Sequence, residues 1–483
     1  MTIVLTFICN AGFNLLLGLV VAGVLGPEEY GRFAVAATAA VLVCTALFDW
    51  LRLSTTRFSG DAANPASSSL KASLEAGYGG IALAILCLAL VLHGLGIGVA
   101  GVPVVLVAVT AVANARFEFR AAEARALFRD RTYLWLVASK NSLALVLGVA
   151  AAACLGSAAW VIAVMALCTV LATLTVRASL DRHPAPLAQA RRSEVATFAR
   201  YGLPIVGANL VYQAILLTNR SLGVDAFGLA AAGQLSLATD LTIRLLVSVG
   251  AALDVFLFQL ALRRRAESGE AAGHRQVATN MLVVGAVLCF LGTAYVVAMP
   301  ALQALFIPAA YRGAFGDLSI ILVPGTVAFC FAQFGLNPIF QLSGRTGILI
   351  GSAVAALAVD AALVWLVLPR AGIEGLAVAH AGGLLAGALA AGWAAARARA
   401  CWPPARDALA VLAATAAMAG ATWPLRSLET PWLALIGTGL LGTLVYGGLL
   451  VGLNAGGLRD ALQRRMARPG TVGPARGPEM EAR

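Results

Sequence analysis

The chain has 483 residues, of which 60% are hydrophobic and only 12% are charged, and its formal net charge is +11 at pH 7. A soluble domain carries about 25% charged residues, so this composition excludes a soluble globular protein. The positive charge is typical of the Lys/Arg bias in the cytoplasmic loops of membrane proteins, and we expect no nucleic-acid partner.

Long apolar runs recur along the whole chain. Each is long enough to cross about 30 Å of hydrocarbon as a helix. One continuous run, 72–115, is divided near Gly94–Pro103, because Gly and Pro favour a tight turn. The pattern predicts an all-α polytopic membrane protein with about 14 transmembrane helices, at 2–24, 33–56, 72–92, 103–122, 133–155, 159–179, 201–222, 228–254, 277–299, 317–342, 346–368, 372–396, 406–425 and 431–453.

The distribution of basic residues predicts the orientation of these spans. With the N-terminus cytoplasmic, 28 of the 34 Lys and Arg residues fall on the cytoplasmic side, five, including Arg220, fall on the other side, and Arg244 alone lies inside a span. Cytoplasmic loops carry this excess, so both termini are expected to be cytoplasmic. The first residues are already apolar, without a basic leader or a small-residue cleavage site, so no removable signal peptide is expected.

A turn between the first two spans recurs in the second half of the chain. "LGPEEYG" (25–31) corresponds to "LGVDAFG" (222–228) at a shift of 197 residues, so that Gly26 matches Gly223 and Gly31 matches Gly228. Six spans lie between the copies, an even number, so both turns face the same side of the membrane. This predicts two six-helix lobes in a parallel repeat, as in alternating-access transporters. The acids in these turns are predicted to cap the helices that follow.

The repeat divides the chain into five parts. We predict an N-lobe at 1–180 (spans 1–6), a cytoplasmic linker at 181–200, a C-lobe at 201–397 (spans 7–12), spans 13 and 14 at 398–455, and a cytoplasmic, disordered tail at 456–483. The basic connections at about 180–200 and 262–276 are expected to form amphipathic surface helices.

Several motifs, taken in order, resemble those of the polysaccharide transporter family. They are "LGPEEYG" after the first span, "YGLPIVGANL" at the start of the seventh, "LGVDAFG" after it, "FIPAAYRGA" before the tenth and "VLPRAGIEGLAVAHAGG" between the eleventh and twelfth. That family includes O-antigen and exopolysaccharide flippases of the Wzx type, and its superfamily is shared with multidrug (MATE) transporters and the lipid II flippase. The resemblance covers roughly residues 10–455.

The resemblance implies a flippase of the bacterial inner membrane that translocates an undecaprenyl-pyrophosphate-linked oligosaccharide by alternating access coupled to cation antiport. Its partners would be this lipid-linked oligosaccharide, membrane lipids, a polysaccharide polymerase and a chain-length regulator. A MATE-type multidrug antiporter and a membrane scaffold of a polysaccharide synthesis complex are the alternatives. The sequence has no HExxH, P-loop or GxSxG motif and only short outer loops, so we expect no enzyme, no catalytic residue, no cofactor and no metal.

Ionisable groups inside the spans are the first candidates for substrate and ion sites, because charge is costly in hydrocarbon. Asp240 and Arg244 lie four residues apart on one face of span eight. Arg244 is predicted to bind pyrophosphate, with Asp240 restraining it or titrating as an ion-coupling group; alternatively, the two form a structural salt bridge. Asp49 and Arg52 are a similar pair in span two, unless Arg52 only extends to the membrane surface.

Asp360 is an isolated carboxylate in span eleven. It is predicted to couple transport to a proton or sodium ion, or else to be a hydrogen-bonded structural acid. The other candidates for the pyrophosphate and sugar cavity are Arg116, Lys140, Arg220, Asn209 and Gln213. Alternatively, Arg116 and Lys140 anchor their spans at the inner membrane surface, and the amides of span seven make packing hydrogen bonds. Further polar residues either line a sugar path or make packing hydrogen bonds, namely Asn219, Asn337, Gln341 and His380.

Overall fold

The computed structural model describes residues 2–58, 66–180, 186–343, 345 and 347–466. Within these ranges nearly the whole chain is helical. A short antiparallel hairpin, β1 Gly98–Val99 paired with β2 Val102–Pro103, occupies the turn that was predicted near Gly94–Pro103. The protein is an all-α polytopic membrane protein, as predicted.

The first half of the chain forms the N-lobe. Its helices are α1 Thr2–Phe58, α2 Ala66–Gly94, α3 Val104–Ala126, α4 Asp130–Leu143, which continues through a π-helical turn (Ala144–Gly148) into α5 Val149–Leu155, and α6 Ala158–Thr175. A short helix, α7 Arg177–Leu180, and a 3-10 turn, Leu187–Gln189, lead to the second half.

The second half begins with the C-lobe. Its helices are α8 Arg192–Ser268, α9 Glu270–Phe306, α10 Ala314–Phe331, which continues through a second π-helical turn (Ala332–Leu336) into α11 Asn337–Leu342, and α12 Gly347–Arg397, with a 3-10 turn at Ala309–Tyr311. The chain continues as α13 Ala405–Thr422, α14 Pro431–Gly452 and α15 Leu458–Met466, with 3-10 turns at Trp423–Ser427 and Ala455–Gly457.

Three of the long helices change direction at a glycine with positive φ. The angles are φ 75°, ψ 171° at Gly26 in α1, φ 81°, ψ 171° at Gly228 in α8, and φ 59°, ψ −140° at Gly372 in α12. Glycine adopts such angles without the steric cost that other residues incur. The arms are named α1a (2–25), α1b (27–58), α8a (192–227), α8b (229–268), α12a (347–371) and α12b (373–397). We call the side of the bundle that carries these glycines the kinked end. The opposite side, where the basic connection at 262–276 lies, is the basic end.

The helical segments account for the fourteen predicted spans. Ten described segments are long and apolar enough to cross a membrane, and three of these contain a glycine kink and supply two arms each. The remaining span is α3, which carries charged residues in its second half and packs against α1 and α6 inside the N-lobe. Outside the two lobes, α13 and α14 pack against α9, where the Tyr446 hydroxyl donates to the Ala286 carbonyl at 2.7 Å.

The two predicted surface helices are not separate elements in the described part of the chain. In the first connection, α7 ends at Leu180 and α8 already begins at Arg192, while 181–185 lie outside the described residues. In the second, α8 continues to Ser268 and Gly269 alone separates it from α9. The helix continues this far because no Gly or Pro occurs at 262–268 to end it earlier. In the predicted disordered tail, 458–466 forms α15, and 467–483 lie outside the described residues.

The two lobes repeat with a shift of 202 residues, five more than the sequence motif predicted. Gly26 and Gly228 have nearly identical backbone angles and both join a first to a second arm. The predicted match of Gly26 with Gly223 is therefore wrong. It arose because glycines recur every five residues at 223, 228 and 233, so Gly26 and Gly31 meet glycines at either shift, while the other letters of the motif favour the shorter one.

A contact between the lobes follows the same 202-residue symmetry. A Cβ atom on Gly31 would lie 3.1 Å from the Leu229 carbonyl carbon, and one on Gly233 would lie 2.9 Å from the Pro27 carbonyl carbon. Each Cβ would lie still closer to the corresponding carbonyl oxygen. The backbones of α1b and α8b therefore touch at the kinked end, where only glycine fits.

The largest buried cluster of apolar side chains lies beside this contact. It combines N-lobe residues such as Val21 and Tyr30 with C-lobe residues such as Leu237, Tyr311 and Leu376. The Tyr311 hydroxyl donates to the Ala22 carbonyl at 3.2 Å. The lobes are thus held together by apolar packing at the kinked end.

Candidate functional site

A cavity of about 180 Å³ lies between the helices of the N-lobe. Its lining residues are Asn14, Leu17, Gly18, Val21, Tyr30, Phe33, Ala37, Val41, Thr110, Asn114, Lys140, Asn141, Ala144, Ile162, Met165, Thr169 and Arg244. All of them belong to the N-lobe except Arg244, which α8b contributes from the other lobe. We call this space the N-lobe cavity.

The N-lobe cavity is positively charged. Lys140 and Arg244 are the charged groups of its lining, and none of the described residues that line it is acidic. The Arg244 Nη1 donates to the Asn14 carbonyl at 2.6 Å, and it lies beside Gly18, where a Cβ would approach it to 3.3 Å. The Lys140 Nζ lies 4.6 Å from the ring centroid of Phe117. Two predicted substrate-binding residues, Arg244 and Lys140, therefore share one cavity.

An ion pair between the two arms of α8 lies above this cavity, toward the kinked end. Arg220 on α8a donates to the Asp240 carboxylate on α8b and to the Thr38 hydroxyl on α1b, each at 2.5 Å. It also donates to the Ala34 carbonyl at 3.1 Å, and the Tyr30 hydroxyl donates to Asp240 at 3.3 Å. This Arg220 network connects both arms of α8 to α1b.

Two predictions about these residues are corrected by the network. Asp240 is paired with Arg220 and not with Arg244, whose guanidinium is directed to α1a instead. Arg220 lies inside α8a and is only 3% exposed, whereas the sequence analysis counted its charge on the outer side of the membrane, at the end of the predicted span 201–222. That count was wrong because hydropathy cannot distinguish a buried, paired arginine from one that faces solvent at the end of a span.

Other predicted site residues lie in ion pairs outside the N-lobe cavity. The Arg52 Nε and the Asp49 carboxylate form the expected pair at 3.1 Å. Arg116 pairs with Glu75 at 2.5 Å, and its guanidinium carbon lies 5.1 Å from the Tyr78 ring centroid. The first pair lies within α1b and the second joins α3 to α2, and a substrate role for Asp49, Arg52 and Arg116 remains a prediction.

Asp360 lies in a buried polar group of the C-lobe. It is 2% exposed and accepts a hydrogen bond of 2.8 Å from the Asn219 amide. The same amide nitrogen lies 3.3 Å from His380 Nδ1. Two buried atoms of this group, Asn219 Oδ1 and His380 Nε2, have no hydrogen-bond partner in the described part of the chain. Asn219 on α8a thus links Asp360 on α12a to His380 on α12b.

A second cavity, of about 120 Å³, lies between α8a, α10, the second π-helical turn, α11 and α12a. Its lining residues are Ala208, Asn209, Tyr212, Phe329, Ala332, Gln333, Asn337, Gln341, Leu349 and Ser352. We call it the C-lobe cavity. The predicted residue Asn209 lies here together with Asn337 and Gln341, whereas Gln213 lines neither cavity.

Comparison with known proteins shows which molecules share this architecture. No family model and no curated protein sequence matches the chain. The structure of the lipid II flippase MurJ in an inward closed conformation superposes with a TM-score of 0.69 at 14% identity, over 96% of this chain and 99% of that chain. The chain has the fold of MurJ.

Two further structures are similar over about four fifths of this chain. An inward-facing multidrug resistance MATE family transporter of the MOP superfamily gives a TM-score of 0.59 at 16% identity, over 80% of this chain and 94% of that chain. A MOP superfamily transporter from Pyrococcus furiosus gives 0.54 at 16% identity, over 82% and 94%. The predicted fold relationship to MATE transporters and the lipid II flippase is confirmed.

Within this MurJ-like fold, several polar residues of the N-lobe cavity were missed from the sequence. They include Asn114, Asn141, Thr110 and Thr169. Asn114 had a readable signal, because it is an amide in the middle of an apolar span. Asp254 also escaped notice; it is a half-buried carboxylate on α8b, and no contact in the described ranges indicates its role.

Proposed function

We propose that the protein is a flippase for a glycan carried on a lipid pyrophosphate. The observation that supports this most strongly is the charge of the N-lobe cavity, which holds Lys140 and Arg244 and no acidic lining residue. A pyrophosphate is the charged group of an undecaprenyl-pyrophosphate-linked oligosaccharide. The planar guanidinium of Arg suits phosphate oxygens because it donates two parallel hydrogen bonds, while the Lys ammonium contributes a compact positive charge.

The same charge argues against the multidrug alternative. A cavity lined by positive groups repels a cationic drug and attracts an anion. In the MOP superfamily transporter from Pyrococcus furiosus, the reverse polarity of the binding pocket suggests a different function. Pocket charge is therefore a reasonable guide to the ligand among transporters with this fold. A scaffold protein would have no need of a charged cavity inside the membrane.

The position of Arg244 suggests how binding is linked to alternating access. The guanidinium comes from the C-lobe, whereas Lys140 and the remaining lining residues come from the N-lobe. A pyrophosphate that contacts both groups binds only while the lobes keep this arrangement. The ligand therefore stabilises one arrangement of the lobes over the other, as population shift requires. By the predicted orientation the basic end is cytoplasmic, in the inner membrane of a bacterium.

We further propose that Asp360 is the ion-coupling group and that Asp240 is structural. Asp360 accepts its hydrogen bond from the neutral Asn219 amide and forms no ion pair within the described ranges, so it can gain or lose a proton without breaking an ion pair. Asp240 is held as an anion by Arg220 and by the Tyr30 hydroxyl. Its charge is therefore balanced within the protein.

Binding of farnesyl diphosphate, a short soluble lipid diphosphate, tests the proposed function. The purified protein should bind it and should not bind farnesol. Arg244→Ala should weaken binding about 10- to 100-fold, since hydrogen bonds to charged groups contribute about 1.5–3 kcal/mol. Arg263→Ala removes a charge from an exposed position of the same helix and should leave affinity unchanged.

Two results would contradict the proposal. One is equal affinity for farnesyl diphosphate and farnesol, because the pyrophosphate would then contribute nothing. The other is tight binding of the cation tetraphenylphosphonium together with no effect of Arg244→Ala, which would favour the multidrug alternative. In cells, Arg244→Ala at a normal protein level should abolish surface polysaccharide export, and intact export would exclude a central role for this residue.

A further inference from the structure

The C-lobe cavity differs chemically from the N-lobe cavity. None of its described lining residues carries a charge, and its polar atoms come from four amides, a serine and a tyrosine. Pockets for small molecules combine an apolar wall with a few placed polar groups that determine specificity. The C-lobe cavity is richer in polar groups than this, with six polar and four apolar lining residues, and is suited to a neutral, polar ligand.

The amides of the C-lobe cavity form two layers. Deep in the cavity, Asn337 is 8% exposed and donates to Gln333 at 2.9 Å, and Ser352 is 7% exposed. At the rim, Asn209 and Gln341 are exposed and make no hydrogen bond within the described ranges. An amide offers both donors and acceptors, which is the pattern that sugar hydroxyl groups complement.

An aromatic pair and an irregular helical turn complete the C-lobe cavity. The rings of Tyr212 and Phe329 meet edge to face with centroids 4.9 Å apart, and both residues line the space. The π-helical turn Ala332–Leu336 contributes Ala332 and Gln333 to the lining. The π-helix is rare, and its single turns inside α-helices are found frequently at functional sites.

The two cavities lie at a similar depth from the kinked end. Arg244 is 16 residues beyond Gly228 on α8b, and Asn209 is 19 residues before Gly228 on α8a. At about 1.5 Å per residue these positions lie about 24 Å and about 28 Å along the two arms from the kink. A head group that extends parallel to the membrane plane can therefore approach both cavities.

We propose that the C-lobe cavity binds an uncharged sugar residue of the lipid-linked glycan while the N-lobe cavity binds the pyrophosphate. The inference rests on the proposed flippase function and adds a second subsite to it. The sugar hydroxyl groups hydrogen-bond with Asn209 and Gln341 at the rim, and the face of the sugar ring packs against Tyr212. The two cavities then recognise different parts of one substrate.

The test compares two probes, farnesyl diphosphate and farnesyl diphosphate bearing N-acetylglucosamine. The sugar-bearing probe should bind the unsubstituted protein about tenfold more tightly, the gain expected from one or two added hydrogen bonds. The double variant Asn209→Leu/Gln341→Leu should remove this gain and keep the affinity for farnesyl diphosphate. Gln259→Leu, at an exposed amide of α8b outside both cavities, should keep both affinities.

Equal affinity for the two probes, or a gain that survives in the double variant, would overturn the sugar site and leave the pyrophosphate site intact. A second measurement does not depend on pyrophosphate binding. In a Gln341→Cys variant, N-acetylglucosamine or galactose should slow maleimide labelling of the introduced thiol, whereas inorganic phosphate should not. If neither sugar protects the thiol and the sugar-bearing probe shows no gain in affinity, a sugar site is excluded. This conclusion holds even if farnesyl diphosphate does not bind.

Discussion

The contact between Gly31 and Gly233 makes a single added methyl group a test of how the lobes move. In Gly31→Ala the new Cβ would lie 3.1 Å from the carbonyl carbon of Leu229, and closer to its oxygen. Carbon atoms at rest lie about 3.5–4.0 Å apart. The obstacle is backbone, which no rotamer change can relieve. We therefore expect α1b and α8b to separate by about 0.5–1 Å at the kinked end.

The energetic effect follows from this overlap. Overpacking of a tight contact costs about 1–3 kcal/mol. Because about 1.4 kcal/mol corresponds to a factor of ten in an equilibrium constant, Gly31→Ala should shift the equilibrium about 5- to 150-fold away from the state in which the lobes touch at the kinked end. States in which this end is open do not contain the contact and should be unaffected.

Spin labels near the two kinks would measure the shift. Val24 and Phe227 are 43% and 36% exposed, and they lie at the ends of α1a and α8a. With the exposed cysteines Cys87, Cys154 and Cys401 replaced by serine, double electron–electron resonance between labels at those two sites should show a larger population of long distances in Gly31→Ala.

A glycine with free space around it provides the control for this measurement. Gly79 has no atom within 4 Å of an added Cβ, so Gly79→Ala should leave the distance distribution unchanged. A Gly31→Ala distribution identical to that of the unsubstituted protein would refute the reasoning, because the lobes could then absorb the methyl group without moving apart.

Three further predictions address the buried polar groups. Arg220→Met should lower the melting temperature in detergent, because it leaves the Asp240 carboxylate buried without its cation, at a cost of about 3–5 kcal/mol. A double variant that adds Asp240→Leu should recover much of this loss. A double variant as unstable as the single one would contradict the prediction. Asp360→Asn should reduce the dependence of flipping in proteoliposomes on a pH gradient while the protein stays folded, and an unchanged dependence would remove Asp360 from coupling. Gly18→Leu should displace Arg244 from the N-lobe cavity and weaken farnesyl diphosphate binding at least severalfold, whereas full affinity would show that the guanidinium has room elsewhere.

The positions of the spans could be read from the sequence because hydropathy is a local property. Each run of apolar residues contains the information for its own helix, and the structure places a helix at every predicted span. The positions of the kinks were also close to the predicted turns. The exact pairing of the two halves was not, because "LGPEEYG" matches "LGVDAFG" at more positions than it matches "FGLAAAG" (227–233), the segment that the φ angles of Gly26 and Gly228 pair with it.

The contacts within the candidate sites depend on residues that are far apart in the chain. Asp360 is 141 residues from Asn219, and no local pattern connects them. Helical spacing predicted an Asp240–Arg244 pair, but Arg220 approaches Asp240 from the other arm of the same helix. The basic character of the N-lobe cavity was better predicted, since Arg244 and Lys140 are cations within or near apolar spans.

The 202-residue repeat places unlike residues at matching positions of the two halves. Arg220 corresponds to Gly18, and Asp240 corresponds to Thr38. Gly18 leaves space for the Arg244 guanidinium in the first half. The matching position of the second half is filled by Arg220, which is already neutralised by Asp240. On the proposed function, the two similar halves therefore provide one anion site. The stoichiometry should be a single lipid diphosphate per chain, with no second, symmetry-related molecule.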